Sequence, residues 1–172
     1  MRPTKLTKLD KAVSDLANGD RSAFSRIYDL SGRLIFSVAY AVVGNYQDAE
    51  DVMQDTFLEI NKYIHDYKGS GAKAWILTMA RHRAIDIVRK RKPHFDLDDF
   101  AESPFLSAND DYSRLEVNDM LSRLTEDERQ IITYRIYGKL PHREIAEIMG
   151  ITEANAQKKY RRTIEKLRKV WS

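Results

Sequence analysis

Cysteine is absent from this chain. Disulfides and thiolate metal sites are therefore excluded, and the composition fits a reducing cytoplasm. Long apolar runs are missing too. The longest, Leu34 to Val43, is interrupted by Ser37 and is too short to span a bilayer. The basic N-terminus (Arg2, Lys5, Lys8, Lys11) is not followed by the apolar stretch a signal peptide needs. These absences predict a soluble, cytoplasmic protein with no membrane insertion. Strand signals and internal repeats are lacking, so the expected fold class is all-α. His65, His82, His94 and His142 are scattered, with no Glu-x-x-His pair to set on facing helices. No nucleophile–base pattern or phosphate-cradling glycine loop is present. The sequence offers no catalytic residue, no metal ligand and no cofactor motif, and an enzyme is rejected.

Charge of one sign is also locally missing. The formal net charge is only +3 on 172 residues, yet basic residues concentrate in Arg81–Lys92 and Lys158–Lys169. Two basic blocks on a near-neutral chain suggest two separate contacts with a polyanion. Pro93 to Tyr112 holds Asp96, Asp98, Asp99, Glu102, Asp110 and Asp111 with no lysine or arginine. No helical or strand period survives there, so it reads as an acidic extended linker. The expected division is a helical domain at 1–92, the linker at 93–112 and a second helical domain at 113–172, each small.

Within the first domain, helices are predicted over Leu6–Leu16, from Asp20 or Ser22 to Val43, and from Asp48 to about Ile64. A Lys68-Gly69-Ser70-Gly71 loop leads to a fourth helix, Ala72–Arg91, stopped by Pro93. In the third helix Ala49, Val52, Met53, Thr56, Phe57, Ile60 and Ile64 recur at helical spacing and form a buried stripe. Asp48, Glu50, Asp51, Gln54, Asp55 and Glu59 then share the solvent side with no compensating base. Acids packed so densely repel one another, a cost only partly offset by the helix dipole in the first turn. In the fourth helix Trp75, Ile76, Met79, Ala80 and Ile87 are expected inward, and Thr78, Arg81, His82, Arg89 and Lys92 outward.

In the second domain Thr125-Glu126-Asp127-Glu128 reads as a capping box for a helix reaching Tyr137, where Gly138 stops it. A short helix, Pro141–Met149, then Gly150, then a long helix capped by Thr152 form a helix-turn-helix. Ala156, Tyr160, Ile164 and Leu167 should be inward. Ala154, Gln157, Lys158 and Arg161 then face the opposite side, as a recognition helix requires. Gln and Arg suit base edges; Lys159, Arg162 and Lys166 suit phosphates.

The acidic run from Asp48 to Phe57 resembles the core-polymerase-binding helix of bacterial sigma factors, the extracytoplasmic-function (ECF) group in particular. Every fixed position of their D-A-E-D-x-x-Q-x-x-F signature is present. Ala74 to Asp86 resembles the segment of sigma region 2 that handles the promoter −10 element. Leu140, Glu144 to Ile148 and Gly150 to Glu153 resemble sigma region 4; the match departs at Pro141 and at Ala154-Asn155-Ala156. The resemblance implies two small helical domains, a region 2 bundle and a region 4 helix-turn-helix. It implies core RNA polymerase and promoter DNA as partners, with room for an anti-sigma factor. Core-polymerase contacts would fall to Asp48, Glu50, Asp51, Gln54, Asp55 and Leu58. Single-stranded −10 contacts would fall to Lys68, Lys73, Arg81, His82, Arg89 and Arg91. Contacts with the −35 element would fall to Ala154, Asn155, Gln157, Lys158, Arg161 and Arg162. The linker would enter the polymerase RNA channel or act as a plain tether. A stand-alone helix-turn-helix regulator is the competing reading; it accounts for the C-terminal motif and leaves the acidic helix unexplained.

Overall fold

The computed structural model describes residues 5–90 and 119–171. Among them every regular element is helical. The acidic linker, Arg91 and Lys92 lie outside the described residues. The first helix, α1 (Lys8–Ala17), is started by a reciprocal box: the Thr7 hydroxyl accepts from the Asp10 N–H, and the Asp10 carboxylate accepts from the Thr7 N–H. Asn18-Gly19 ends it, as expected. In α2 (Ala23–Val43) Ser22 holds the N-cap position but its side chain caps nothing; the Asp20 carboxylate accepts from the Ser22 N–H and hydroxyl instead. Asn45 caps α3 (Tyr46–Lys62) by accepting from the Asp48 N–H at 3.0 Å.

All six inward positions expected within α3 are buried, Ala49, Val52, Met53, Thr56, Phe57 and Ile60. The Thr56 hydroxyl is satisfied by the Val52 carbonyl at 2.7 Å, so it costs little inside an apolar stripe. Ile64 is buried as well, in a 3-10 turn (Ile64–Asp66) that leads to the glycine loop. α4 (Ala72–Lys90) departs from the expected facing. Leu77 and Ala84 are buried beside Ala72, Ile76 and Ala80, whereas Trp75, Met79 and Ile87 are only half-buried. The cause is crowding. α4 packs against α1, α2 and α3 at once, so its apolar surface is wider than a single stripe. Tyr28, expected inward on α2, is 42% exposed but rests its ring on Phe57 at 5.0 Å.

The C-terminal part is α5 (Glu126–Ile132), α6 (His142–Met149) and α7 (Glu153–Trp171). The Thr125/Glu128 box forms as read from the sequence. The helix it starts does not remain α to Tyr137: residues Thr133–Tyr137 widen into a π turn. Gly138 is needed there for space, since a Cβ would lie 2.8 Å from the Tyr134 carbonyl oxygen. The left-handed conformation falls on Lys139, φ 54°. Gly150 turns the chain between α6 and α7 with φ 66°, and the Thr152 hydroxyl accepts from the Asn155 N–H. In α7 Ala156, Thr163 and Leu167 are buried, with Tyr160 and Ile164 half-buried; Thr163 was missed because its hydroxyl hides on the Lys159 carbonyl.

The two helical units share one hydrophobic cluster. α4 packs on α6, and α2 on α5 and the π turn. The Arg129 guanidinium reaches across to the Ala41 carbonyl at 3.0 Å. That contact was not legible in the sequence, which suggested two independent units on a tether.

Asp10 gives a pH test of this packing. Burial alone would raise its carboxyl; N–H donors from Thr7 and Ala72 and the Tyr67 hydroxyl outweigh that and hold it below the usual carboxylate range. The folded state thus binds fewer protons than the unfolded chain. The stability Asp10 contributes is full above the ordinary aspartate value of about 3.9 and is lost as pH falls through the depressed folded value. Asp10→Asn is expected to melt earlier at pH 7 and to lose less on acidification below pH ~4 than the parent. Thermal midpoints of both proteins across that range check it. Their difference isolates Asp10 from Glu126 and Glu144, whose carboxyls burial pushes up.

Candidate nucleic-acid interface

Three surfaces emerge. The first is the outer face of α3. Asp51, Gln54 and Asp55 are exposed, and Leu58 among them is 69% exposed. It is a large apolar side chain standing bare on a charged face. Asp48 and Glu50 are half-buried; the Asp48 carboxylate accepts from the Asn45 side-chain amide at 2.9 Å, so part of its capacity is spent on the cap. Glu59, on the same side, pairs with Arg83 of α4. That pairing joins α3 to α4 and raises the Arg83 guanidinium further, through its hydrogen bond and charge.

The second surface is the loop before α4 and the outward side of that helix. Lys68, His82 and Arg89 are exposed. Arg89 lies 3.9 Å from Asp86, an exposed pair of little energetic weight. Lys73 and Arg81 are not free. The Lys73 ammonium donates to the Gly138 carbonyl at 2.9 Å, and the Arg81 Nε donates to the Gln130 side-chain oxygen at 2.8 Å. Gln130 is fully buried, and its amide donates in turn to Glu126 at 3.2 Å. Two of the cations expected on the −10 strand are thus held by the C-terminal unit. Sequence reading missed Gln130; its one signal was a glutamine leading the apolar run Gln130-Ile131-Ile132. Arg91 lies outside the described residues. Between this surface and α6 runs an open groove of ≈ 700 Å³ with Tyr63, Trp75, Thr78 and His82 on one wall and Arg143 and Glu147 on the other. Trp75 therefore serves two sides: it packs against the core, its ring 5.4 Å from that of Tyr67, and it lines the groove.

The third surface is the start of α7. Ala154, Asn155, Gln157, Lys158, Arg161 and Arg162 are all exposed on adjoining turns. Lys159 and Lys166, read as phosphate contacts, turn back onto the first turn of α5. Lys159 pairs with Asp127 at 3.3 Å and Lys166 with Glu128 at 3.0 Å. Burial works to raise the Glu128 carboxyl, and the Thr125 N–H and the Lys166 ammonium overcome it, holding it below the usual range. The reason lies in the capping box: its acids sit where α7 crosses, and they claim the nearest lysines. Arg161 and Arg162 have no such neighbour among the ion pairs of the described residues.

Comparison with known proteins agrees with this geometry. Residues 27–94 match the family model for Sigma-70 region 2, and residues 114–167 match that for Sigma-70 region 4. Together they span most of the chain. The ECF RNA polymerase sigma factor SigK of Mycobacterium ulcerans is 28% identical over 182 residues, covering 96% of this chain and 95% of its own length. SigM of Bacillus subtilis, also an ECF RNA polymerase sigma factor, is 28% identical over 152 residues, covering 85% and 93%. Among solved structures, CnrH in complex with the cytosolic domain of CnrY has the same fold, with a TM-score of 0.71 at 20% identity over 94% of this chain and 96% of its own. So has the sigma factor RpoE of Bartonella quintana in complex with the anti-sigma factor NepR, with a TM-score of 0.71 at 19% identity over 86% and 96%. Among the described residues no helix is long and apolar enough to cross a membrane. An acidic helix bearing the full signature, a glycine loop with a basic helix behind it, and a helix-turn-helix occur here in the order of regions 2 and 4, and the chain belongs to the sigma-70 family, in its extracytoplasmic-function group.

Proposed function

We propose that this sigma factor divides promoter-specific initiation among its three surfaces. As a member of its family it directs promoter-specific transcription. The exposed face of α3, with Asp51, Gln54, Asp55 and Leu58 at its centre and Asp48 and Glu50 at its rim, docks on core RNA polymerase. Lys68, Lys73, Arg81, His82, Arg89 and Arg91 serve the opened −10 strand, where backbone charge and unstacked bases call for cations and pockets. Ala154, Asn155, Gln157, Lys158, Arg161 and Arg162 enter the major groove at the −35 element. Residues 1–92 and 113–172 act as the two functional units. The single observation that carries this reading is the exposure of Leu58 within the acidic signature face.

RNA synthesis itself is the polymerase's chemistry, and no catalytic role is assigned to this chain. The place of action is the cytoplasm, with the polymerase. Two structural neighbours are described in complexes, one with the cytosolic domain of another protein and one with an anti-sigma factor. An inhibitory partner of that kind belongs to this proposal too. A stand-alone regulator is not favoured, because the region 2 match includes the acidic helix that such a regulator leaves without a use.

The C-terminal helix supplies a test. Loss of a bidentate base contact costs about 1–3 kcal/mol and relaxes sequence preference, whereas loss of a phosphate contact weakens all sites alike. Arg161→Ala is expected to relax preference within the −35 element, and Arg162→Ala to lower affinity without changing preference. Binding of the two holoenzymes to a panel of mutated −35 elements checks it; identical profiles would remove the division between the two arginines.

A further inference from the structure

The loop read above as part of the −10 surface is held at both ends by one atom from a distant helix. Asp10, in the first turn of α1, is 5% exposed. Its Oδ2 accepts from the Thr7 N–H and hydroxyl at 2.9 and 2.8 Å, the local cap. Its Oδ1 accepts from the Tyr67 hydroxyl and from the Ala72 N–H, both at 2.8 Å. Tyr67 is the last residue before Lys68-Gly69-Ser70-Gly71, and Ala72 is the first residue of α4. A single carboxylate oxygen therefore caps α4 from another helix and pins the two ends of the loop together. Between those pins Gly69 and Gly71 both stand in the left-handed region, φ 88° and 72°, and no Cβ at either position would meet a neighbour. Neither glycine is held by side-chain packing. α1 also precedes the stretch matched by the region 2 model, which begins at residue 27.

We propose that Asp10 is a positioning residue for promoter opening: through Tyr67 and Ala72 it sets the loop that carries Lys68 and leads to Lys73, and so the geometry with which the −10 strand is caught. It touches no DNA itself. This rests on reading that loop as a −10 surface. The physical need is plain. A flexible loop must lose conformational freedom when it grips an unpaired strand, and a loop already clamped loses less. The charge fits the role, because an ionised carboxylate makes stronger bonds to both donors than a neutral acceptor would.

The test uses holoenzyme formed with core RNA polymerase, on promoter fragments recovered by the parent holoenzyme from a library randomised in the −10 element. Permanganate reactivity of unpaired thymines reads opening, competition for core reads docking, and thermal midpoints read stability. Asp10→Ala and Tyr67→Phe are expected to lower opening roughly tenfold and to flatten −10 preference, with core affinity and −35 preference unchanged. Asp10→Asn, which keeps an acceptor oxygen, should retain more opening than Asp10→Ala. Tyr67→Phe removes only a hydroxyl and reports even where Asp10→Ala fails to fold. Thr7→Ala breaks the local cap and leaves Oδ1 in place, so it should lower the melting midpoint without lowering opening. Parent-like opening by Asp10→Ala and Tyr67→Phe, with Lys68→Ala impaired, overturns the clamp and leaves the loop's role standing. Parent-like opening by Lys68→Ala and Lys73→Ala as well overturns the loop reading, and the clamp with it. A loss in Thr7→Ala equal to that of the clamp variants reduces the effect to global stability and also overturns the proposal.

Discussion

The Asp51→Lys/Asp55→Lys double variant is expected to lose core polymerase while keeping its helical circular dichroism. Both carboxylates are exposed on α3, and the stripe that holds this helix in place lies on its other side. Reversal therefore leaves folding intact. It should even relieve repulsion among Asp48, Glu50, Asp51 and Asp55. At an interface the same change replaces attraction by like-charge contact, which costs several kcal/mol; ~4 kcal/mol for the pair is about a thousandfold in affinity. Leu58→Ala on the same face should cost less, because it removes apolar burial without adding repulsion. Competition with the parent protein for core polymerase measures both. A double variant that competes normally would move the docking surface off α3.

Weak, salt-sensitive and poorly selective DNA binding is expected of the protein without polymerase. One reason is modular: single recognition helices contact few bases and give little specificity alone. Another is particular to this fold. Lys73 and Arg81 are hydrogen-bonded to Gly138 and Gln130 of the C-terminal unit, so an opened strand would have to compete with those partners for the two cations. Phosphate contact alone gives dissociation constants of about 10⁻⁴–10⁻⁶ M at physiological salt, whereas a specific complex reaches about 10⁻⁸ M or tighter. The holoenzyme is expected in the tighter range, with strand opening and a transcript from a defined start. Filter binding across a salt series, with and without core, separates the two regimes. A tight footprint by the protein alone, with no transcript on adding core, would establish the stand-alone regulator instead.

The helices and their caps were legible because they depend on neighbours in sequence. Asn45 before α3, Thr125 with Glu128 and Thr152 before α7 satisfy orphaned N–H groups within three residues, so spacing suffices to find them. The acidic face was legible for a similar reason: six inward positions on α3 settle where Asp51, Gln54, Asp55 and Leu58 must point. Facing failed where a helix meets several partners. Leu77 and Ala84 are buried on a helix, α4, that packs against α1, α2, α3 and α6, and no one-helix period predicts that. The π turn carries no local signal in the sequence; it leaves the Tyr134 carbonyl where a Cβ on Gly138 would lie 2.8 Å from it.

By itself, then, the sequence determined an all-α fold, the exposed acidic face of α3, the helix-turn-helix and the exposed side of α7, since all of these follow from periods and caps inside single helices. Only the tertiary structure decided which charges remain available. Lys159 and Lys166 are drawn to the capping acids of α5, Lys73 and Arg81 to the C-terminal unit, and Asp10 to a loop more than fifty residues away. Those partners are distant in sequence. A long cationic or carboxylate side chain bonds to whatever polar group the packing brings near, and no local pattern encodes that.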